Sequence, residues 1–261
     1  MKLQGKVAIV TGSTSGIGQG IAKALAQQGS DIVLNGFGEP DKIEQERRFL
    51  SDKYNVTALY HPADMGKPDE IADLISITKK EFGKIDILVN NAGVQYVAPI
   101  TEMPPEKWDQ IIAIDLSSAF HMIHHGLPHL RENGWGRIIN IASAHGLVAS
   151  PFKAPYVAAK HGLLGLTKVV ALEAARDNVT CNAICPGYVR TPLVEGQIKG
   201  QAKARNISEE DVIQNIILGA QPTKKFIEIE EVGALTVFLC GDHAQGMNGQ
   251  IISIDGGWTA Q

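Results

Sequence analysis

The chain is predicted to fold as a single α/β domain, a doubly wound and mostly seven-stranded parallel sheet with helices on both faces. Three observations predict this. Short β-branched runs alternate with longer segments whose apolar residues recur at helical spacing. The strand runs are continuously apolar, as strands covered on both faces must be. A glycine-rich turn joins the first strand to the first helix. A chain of 261 residues, 44% hydrophobic, can bury one large core, and no linker, repeat or low-complexity tract divides it, so 1–261 reads as one unit.

In chain order, strands are expected at 7–10, 31–34, 56–60, 85–89, 137–141, 179–184 and 250–254. Helices are expected at 16–28, 39–53, 68–82, 105–131, 155–176 and 230–239. Right-handed crossovers then place the helices alternately on the two faces. One stretch breaks the rhythm. Residues 190–221 are long, polar and helical in pattern, and Ser208-Glu209-Glu210-Asp211 offers a helix start resembling a capping box. An excursion placed after the end of the sixth strand is well sited to be a substrate lid.

Composition excludes several classes. The net charge of −4 and the scattered basic residues give no footprint for nucleic acid. Three cysteines, Cys181, Cys185 and Cys240, have no metal-site spacing and read as free thiols of a reducing compartment. No apolar run reaches the roughly 18 residues of a membrane span, so the chain is expected to be cytoplasmic. His121, His124 and His125 have metal-like spacing without an accompanying Glu, and are read as part of a packed helix; no metal is expected.

Chemistry is expected beyond the carboxyl ends of the strands. The turn Thr11-Gly12-Ser13-Thr14-Ser15-Gly16-Ile17-Gly18 lies between a strand and a helix. There, glycines permit a tight turn, close approach to a pyrophosphate, and phosphate binding at the helix N-terminus. The second strand ends in Asn35-Gly36-Phe37-Gly38. With Ser15 and Phe37 uncharged, nothing basic is offered to a 2′-phosphate, so NAD is favoured over NADP. Asp64, beside Met65, presents a carboxylate suited to an adenine amino group, and Asn90-Asn91-Ala92-Gly93 brings amides and close backbone to the cofactor.

Tyr156 and Lys160 stand one helical turn apart, on the same face. An ammonium near a phenol favours the phenolate, so Tyr156 is expected to titrate below its ordinary value of about 10 and to exchange protons near neutrality. That is the task set by carbonyl reduction or alcohol oxidation. Cys185 has no assigned base nearby and is given no role.

The ordered motifs TGxxxGxG at 11–18, NNAG at 90–93, Ser143, YxxxK at 156–160 and Pro186-Gly187 resemble the short-chain dehydrogenase/reductases over essentially the whole chain. The resemblance implies a Rossmann-like fold, a homotetramer and a catalytic Ser143 that holds the substrate oxygen beside Tyr156. It also implies that Lys160 contacts the nicotinamide ribose, with further cofactor contacts from Ala92 and from Pro186, Gly187, Val189 and Thr191 after the sixth strand. The runs 90–95, 139–150, 156–162 and 255–258 resemble the bacterial branch that interconverts D-3-hydroxybutyrate and acetoacetate. That likeness implies a small hydroxy or keto acid substrate, its carboxylate held by Gln95, His145, Lys153 and Gln197, with Trp258 closing the pocket. A buried carboxylate requires such a cation and donors. The alternatives are another short-chain reductase, such as an NADPH-dependent 3-oxoacyl reductase, and a non-catalytic NAD-binding sensor.

Two positions depart from the family pattern. Asp115 stands where an asparagine is common, in a role filled largely by its backbone carbonyl; its carboxylate is expected to favour the ammonium of Lys160 and shift the pH optimum. Tyr188 stands where related enzymes often carry tryptophan, and is expected to enlarge the acyl pocket.

Overall fold

In the computed structural model, which describes residues 3–260, seven strands form one parallel sheet in the order β3-β2-β1-β4-β5-β6-β7. They are β1 (Val7–Val10), β2 (Asp31–Asn35), β3 (Ala58–His61), β4 (Ile87–Asn90), β5 (Gly136–Ile141), β6 (Val179–Pro186) and β7 (Ile251–Ile254). The helices are α1 (Gly16–Gln27), α2 (Pro40–Tyr54), α3 (Pro68–Phe82), α4 (Pro105–Ile112), α5 (Ser118–Glu132), α6 (Ala154–Glu173), α7 (Pro192–Arg205), α8 (Glu209–Asp211) and α9 (Ile229–Cys240). Strand order reverses between β1 and β4, which opens a crevice beyond their carboxyl ends.

The side-chain alternation of the strands sorts the core into two layers. Ala8, Val10, Ile87, Val89, Ile139 and Ile141 face α1 and α9, packing with Ile21, Leu25, Val232 and Leu239. Their neighbours Ile9, Leu88 and Ile138 face α3 and α5, packing with Ile71, Leu74, Met122 and Leu127. This is why β1 reads as an unbroken apolar run and the other central strands as mostly apolar ones.

Three of the differences from the expected boundaries have a visible cause. β3 starts two residues late because Asn55 is left-handed (φ 54°) and the Thr57 amide is held by the Asp31 side chain at 2.7 Å. β4 starts at Ile87 because the Asp86 carboxylate accepts from the Val7 amide at 2.9 Å and pairs with Lys6. The expected helix 105–131 is interrupted by a π turn at Ala113–Ser117. In the polar stretch, Ser208 caps α8, its Oγ accepting from the Asp211 amide at 3.0 Å, and α8 runs into a second π turn at Val212–Ile217. The full capping box is elsewhere, at Glu228 and Glu231 before α9. α7 and the second π turn share a small cluster of Val194, Ile198, Val212, Ile217 and Leu218.

Candidate active site

Three adjoining cavities lie beyond the strand ends. The first, about 280 Å³, is lined by Gly12, Thr14, Ser15, Asn35, Gly36, Phe37, Asp64, Met65, Asn91, Ala92 and Gly93, among others. The second, about 230 Å³, is lined by Ser15, Gly16, Ile17, Asn91, Gly93, Asp115, Tyr156, Lys160 and Thr191, among others. The third, about 130 Å³, brings together Gln95, Ser143, His145, Lys153, Tyr156, Gly187, Tyr188, Val189 and Trp258, with Ile17 and Val194. Residues from distant parts of the chain thus line adjoining cavities, and not all of those singled out in the sequence join them. Gly18 and Pro186 line none of the three. Gly18 instead lets α1 pack closely on the Gly12 carbonyl and the Asn91 amide, and Pro186 is the buried last residue of β6, beside Ile254. Gln197 lies on α7, and its side chain is outside the described residues.

The first two cavities fit a dinucleotide. Gly12 has φ +61°, and a Cβ there would sit 2.9 Å from the Ala92 Cα, so glycine is required for this turn. The Asn91 amide nitrogen donates to the carbonyls of Thr11 and Gly12, at 2.9 and 3.1 Å, while Thr11 Oγ1 accepts from the Asn91 and Ala92 amides. These bonds weld the β1 turn to the β4 turn. Asn35 is fully buried and structural: it accepts from the Gly12 amide and donates to the carbonyls of His61 and Ala63. Thr14 Oγ1 donates to the Phe37 carbonyl at 2.8 Å. Among the described residues lining the first cavity the one charged side chain is Asp64, whose Oδ1 accepts from the Gly66 amide.

Catalytic geometry centres on α6. Lys160 is buried, and its Nζ lies 5.5 Å from the centre of the Tyr156 ring. It donates to the Ile141 carbonyl at 3.2 Å and pairs with Asp115 Oδ2 at 3.4 Å. Asp115, carried into the site by the π turn, is also buried; its Oδ1 accepts from the Val94 amide at 2.8 Å. So the side chain engages Lys160 and the cofactor turn directly, beyond the backbone role expected of this position. Ser143 hydrogen-bonds to Tyr156, and its Oγ accepts from the His145 amide at 3.1 Å.

The expected depression of Tyr156 is corrected by these surroundings. Burial pushes the phenol above its ordinary value; Lys160 pulls it down, but Asp115 opposes the lysine. Burial lowers Lys160, and the Asp115 carboxylate, with Tyr156 and Cys185 acting in the same sense, more than restores it, so the ammonium is held above its usual range. Burial likewise raises Asp115, against the pull of Lys160 and the Val94 amide. The Tyr156–Lys160 spacing reveals the cation and conceals the desolvation, while the countercharge is the one expected from the departure at Asp115.

The third cavity has one cation, Lys153, among its lining residues. His145 is neutral at pH 7: burial, then the charges of Lys153 and His161, push it down to about 4. Its Nε2 bonds Ser150 Oγ at 2.9 Å, and its ring meets Trp258 edge-on at 4.9 Å. Trp258 stacks on Tyr188 at 5.6 Å. Sequence reasoning missed Gln221, a fully buried amide whose side-chain oxygen accepts from the Tyr188 amide and whose Nε2 donates to the Lys225 carbonyl at 2.8 Å.

A family profile described as enoyl-(acyl carrier protein) reductase matches residues 12–259. The D-beta-hydroxybutyrate dehydrogenase of Rhizobium meliloti is 59% identical over 98% of this chain and 99% of its own length. The chain belongs to the short-chain dehydrogenase/reductase family. The D-beta-hydroxybutyrate dehydrogenase of Cupriavidus necator is 52% identical, over 99% of this chain and 100% of its own. Among solved structures, L-sorbose reductase from Gluconobacter frateurii, complexed with NADPH and L-sorbose, superposes with a TM-score of 0.94 at 31% identity, covering both chains completely. As a member of this family the protein is an oxidoreductase that uses a nicotinamide cofactor. No described helix is long and apolar enough to cross a membrane.

Proposed function

We propose that the protein oxidises D-3-hydroxybutyrate to acetoacetate, reversibly, with NAD. The observation that carries this reading is the third cavity, where Ser143 and Tyr156 share about 130 Å³ with a single cation, Lys153. That volume suits a short hydroxy acid, and a cation with hydrogen-bond donors offsets the desolvation of its carboxylate. The two highly identical relatives named as hydroxybutyrate dehydrogenases support the same substrate.

When bound, the nicotinamide supplies the hydride acceptor or donor. Ser143, whose oxygen already accepts from the His145 amide, uses its own proton to hold the substrate oxygen. Tyr156 takes the hydroxyl proton in oxidation and returns it in reduction. Because burial holds its phenol protonated at neutral pH, Tyr156 is set as the acid of the reductive direction there, and oxidation is favoured by alkaline medium. Lys160 and Asp115 set the field at that oxygen. Gln95, His145 and Lys153 hold the carboxylate, and α7 and α8, within 190–221, serve as the lid.

The lack of a cation among the described residues of the first cavity, which leaves a 2′-phosphate without a counter-charge, supports NAD rather than NADP. Exposed Phe120, Val169 and Leu172 on and near the outer faces of α5 and α6 support a homotetramer, and a cytoplasmic location is proposed with it. The test is spectrophotometric. Reduced-nicotinamide absorbance should rise with D-3-hydroxybutyrate and NAD, and hardly at all with the L-enantiomer or with NADP. Comparable rates with NADP would remove the cofactor assignment, and no turnover despite NADH binding would favour a sensor.

A further inference from the structure

Tyr188 is held more firmly than a pocket wall requires. Its ring lies parallel to Trp258, 4° from coplanar, at 5.6 Å. Its amide donates to the buried side chain of Gln221, and its carbonyl accepts from the Ile227 amide at 2.9 Å. The preceding residue must be glycine here, since a Cβ at 187 would run into the Gln221 side chain. Backbone and ring together fix where the phenol points.

That phenol meets Lys153. Nζ donates to the Tyr188 oxygen at 3.1 Å. An ammonium has three donors and no acceptor, so in this pair the phenol oxygen can only accept, and its own proton is left for another partner. Tyr188 lines the same cavity as Ser143 and Tyr156. His145, neutral for want of solvent, adds no charge there. The positive end of the cavity is therefore a lysine paired with a phenol, both lining it, and the ammonium polarises the phenol.

We infer that Tyr188 is a specificity-determining residue, which donates its proton to the carboxylate of a small 3-hydroxy acid and so delivers the charge of Lys153 to it, with Gln221 as the positioning residue behind. The inference rests on the hydroxy-acid reading above. It adds that selection for an anion depends on a phenol and an ammonium acting as one unit.

The experiment compares D-3-hydroxybutyrate with its uncharged methyl ester, in the native protein and in Tyr188→Phe, which keeps the ring and its stacking. Losing a hydrogen bond to a charged group is expected to raise KM for the acid about ten-fold, with kcat nearly unchanged and the ester unaffected. Lys153→Met is expected to lower the acid-over-ester preference similarly. In that background Tyr188→Phe should add little, because the two act in series. An unaltered acid-over-ester preference in Tyr188→Phe overturns the inference, as do fully additive effects of the two substitutions. A native protein that turns over neither compound overturns the hydroxy-acid reading itself, and the inference falls with it.

Discussion

Replacing Asp115 by asparagine isolates the countercharge from the geometry. The amide oxygen can still accept from the Val94 amide, so the cofactor turn keeps its tie, while the charge opposite Lys160 disappears. Lys160 Nζ is 5.5 Å from the centre of the Tyr156 ring. At an effective dielectric of about 20, a unit charge at that distance is worth roughly 3 kcal/mol to the phenolate, or about two pH units. The Asp115 oxygen, 3.4 Å from the ammonium, is no farther than about 9 Å from the same centre, and takes back roughly 2 kcal/mol of it. Burial pushes the Asp115 carboxyl up, while the ammonium facing it and the Val94 amide oppose that push. For Asp115 in its carboxylate form, Asp115→Asn is therefore expected to move the rising limb of the oxidative pH–rate profile about 1 to 1.5 pH units toward acid. The assay is kcat/KM for D-3-hydroxybutyrate from pH 6 to 10 at saturating NAD. A profile that stays within about 0.3 pH units of the native one would falsify the claim that Asp115 acts on Tyr156 through Lys160.

Two further predictions concern the substrate cavity. His145 titrates at about 4 in the folded protein and at about 6.5 unfolded, so the unfolded state takes the proton first. Its contribution to stability is complete above about pH 6.5, falls by up to about 3 kcal/mol as pH drops toward 4, and levels off below. Urea midpoints across that range should converge between native protein and His145→Gln as the pH falls; a constant gap means that His145 is not the group responsible. Tyr188→Trp should reduce the turnover of 3-hydroxyvalerate relative to 3-hydroxybutyrate, because the larger ring takes up acyl space beside Trp258. An identical ratio in both proteins would show that residue 188 does not limit chain length.

What could be read beforehand followed physical scale. β1 announced itself because both its faces are covered, which forces an unbroken apolar run, and β5 and β6, equally buried, did so through their Ile and Val despite Arg137, Asn140, Thr180 and Asn182. Ser143, Lys153 and Trp258 were expected beside Tyr156 through the family resemblance alone, and they share a cavity because the strand ends of such a sheet all open on one crevice. The interruption at Ala113–Ser117 was not legible, since the segments on either side each carry helical spacing and the one-residue offset between them leaves no gap in the pattern. Nor was the net direction of Tyr156: the opposing carboxylate of Asp115 was expected, but the desolvation that outweighs the lysine shows only in the folded chain. Gln221 left no signal, being one amide in a polar stretch whose partners lie across the fold.

The π turn at Ala113–Ser117 has a consequence for descent. Such a turn closes on the fifth residue rather than the fourth, so the run from Pro105 to Glu132 carries, in effect, one inserted residue. Deleting one residue there would restore a regular helix and rotate everything beyond it by about 100°, withdrawing the Asp115 carboxylate from Lys160 or turning the buried face of α5 toward water. A single codon's gain or loss, rather than a change of residue type, thus separates a helix that only packs from one that also places a charge at the proton-transfer centre.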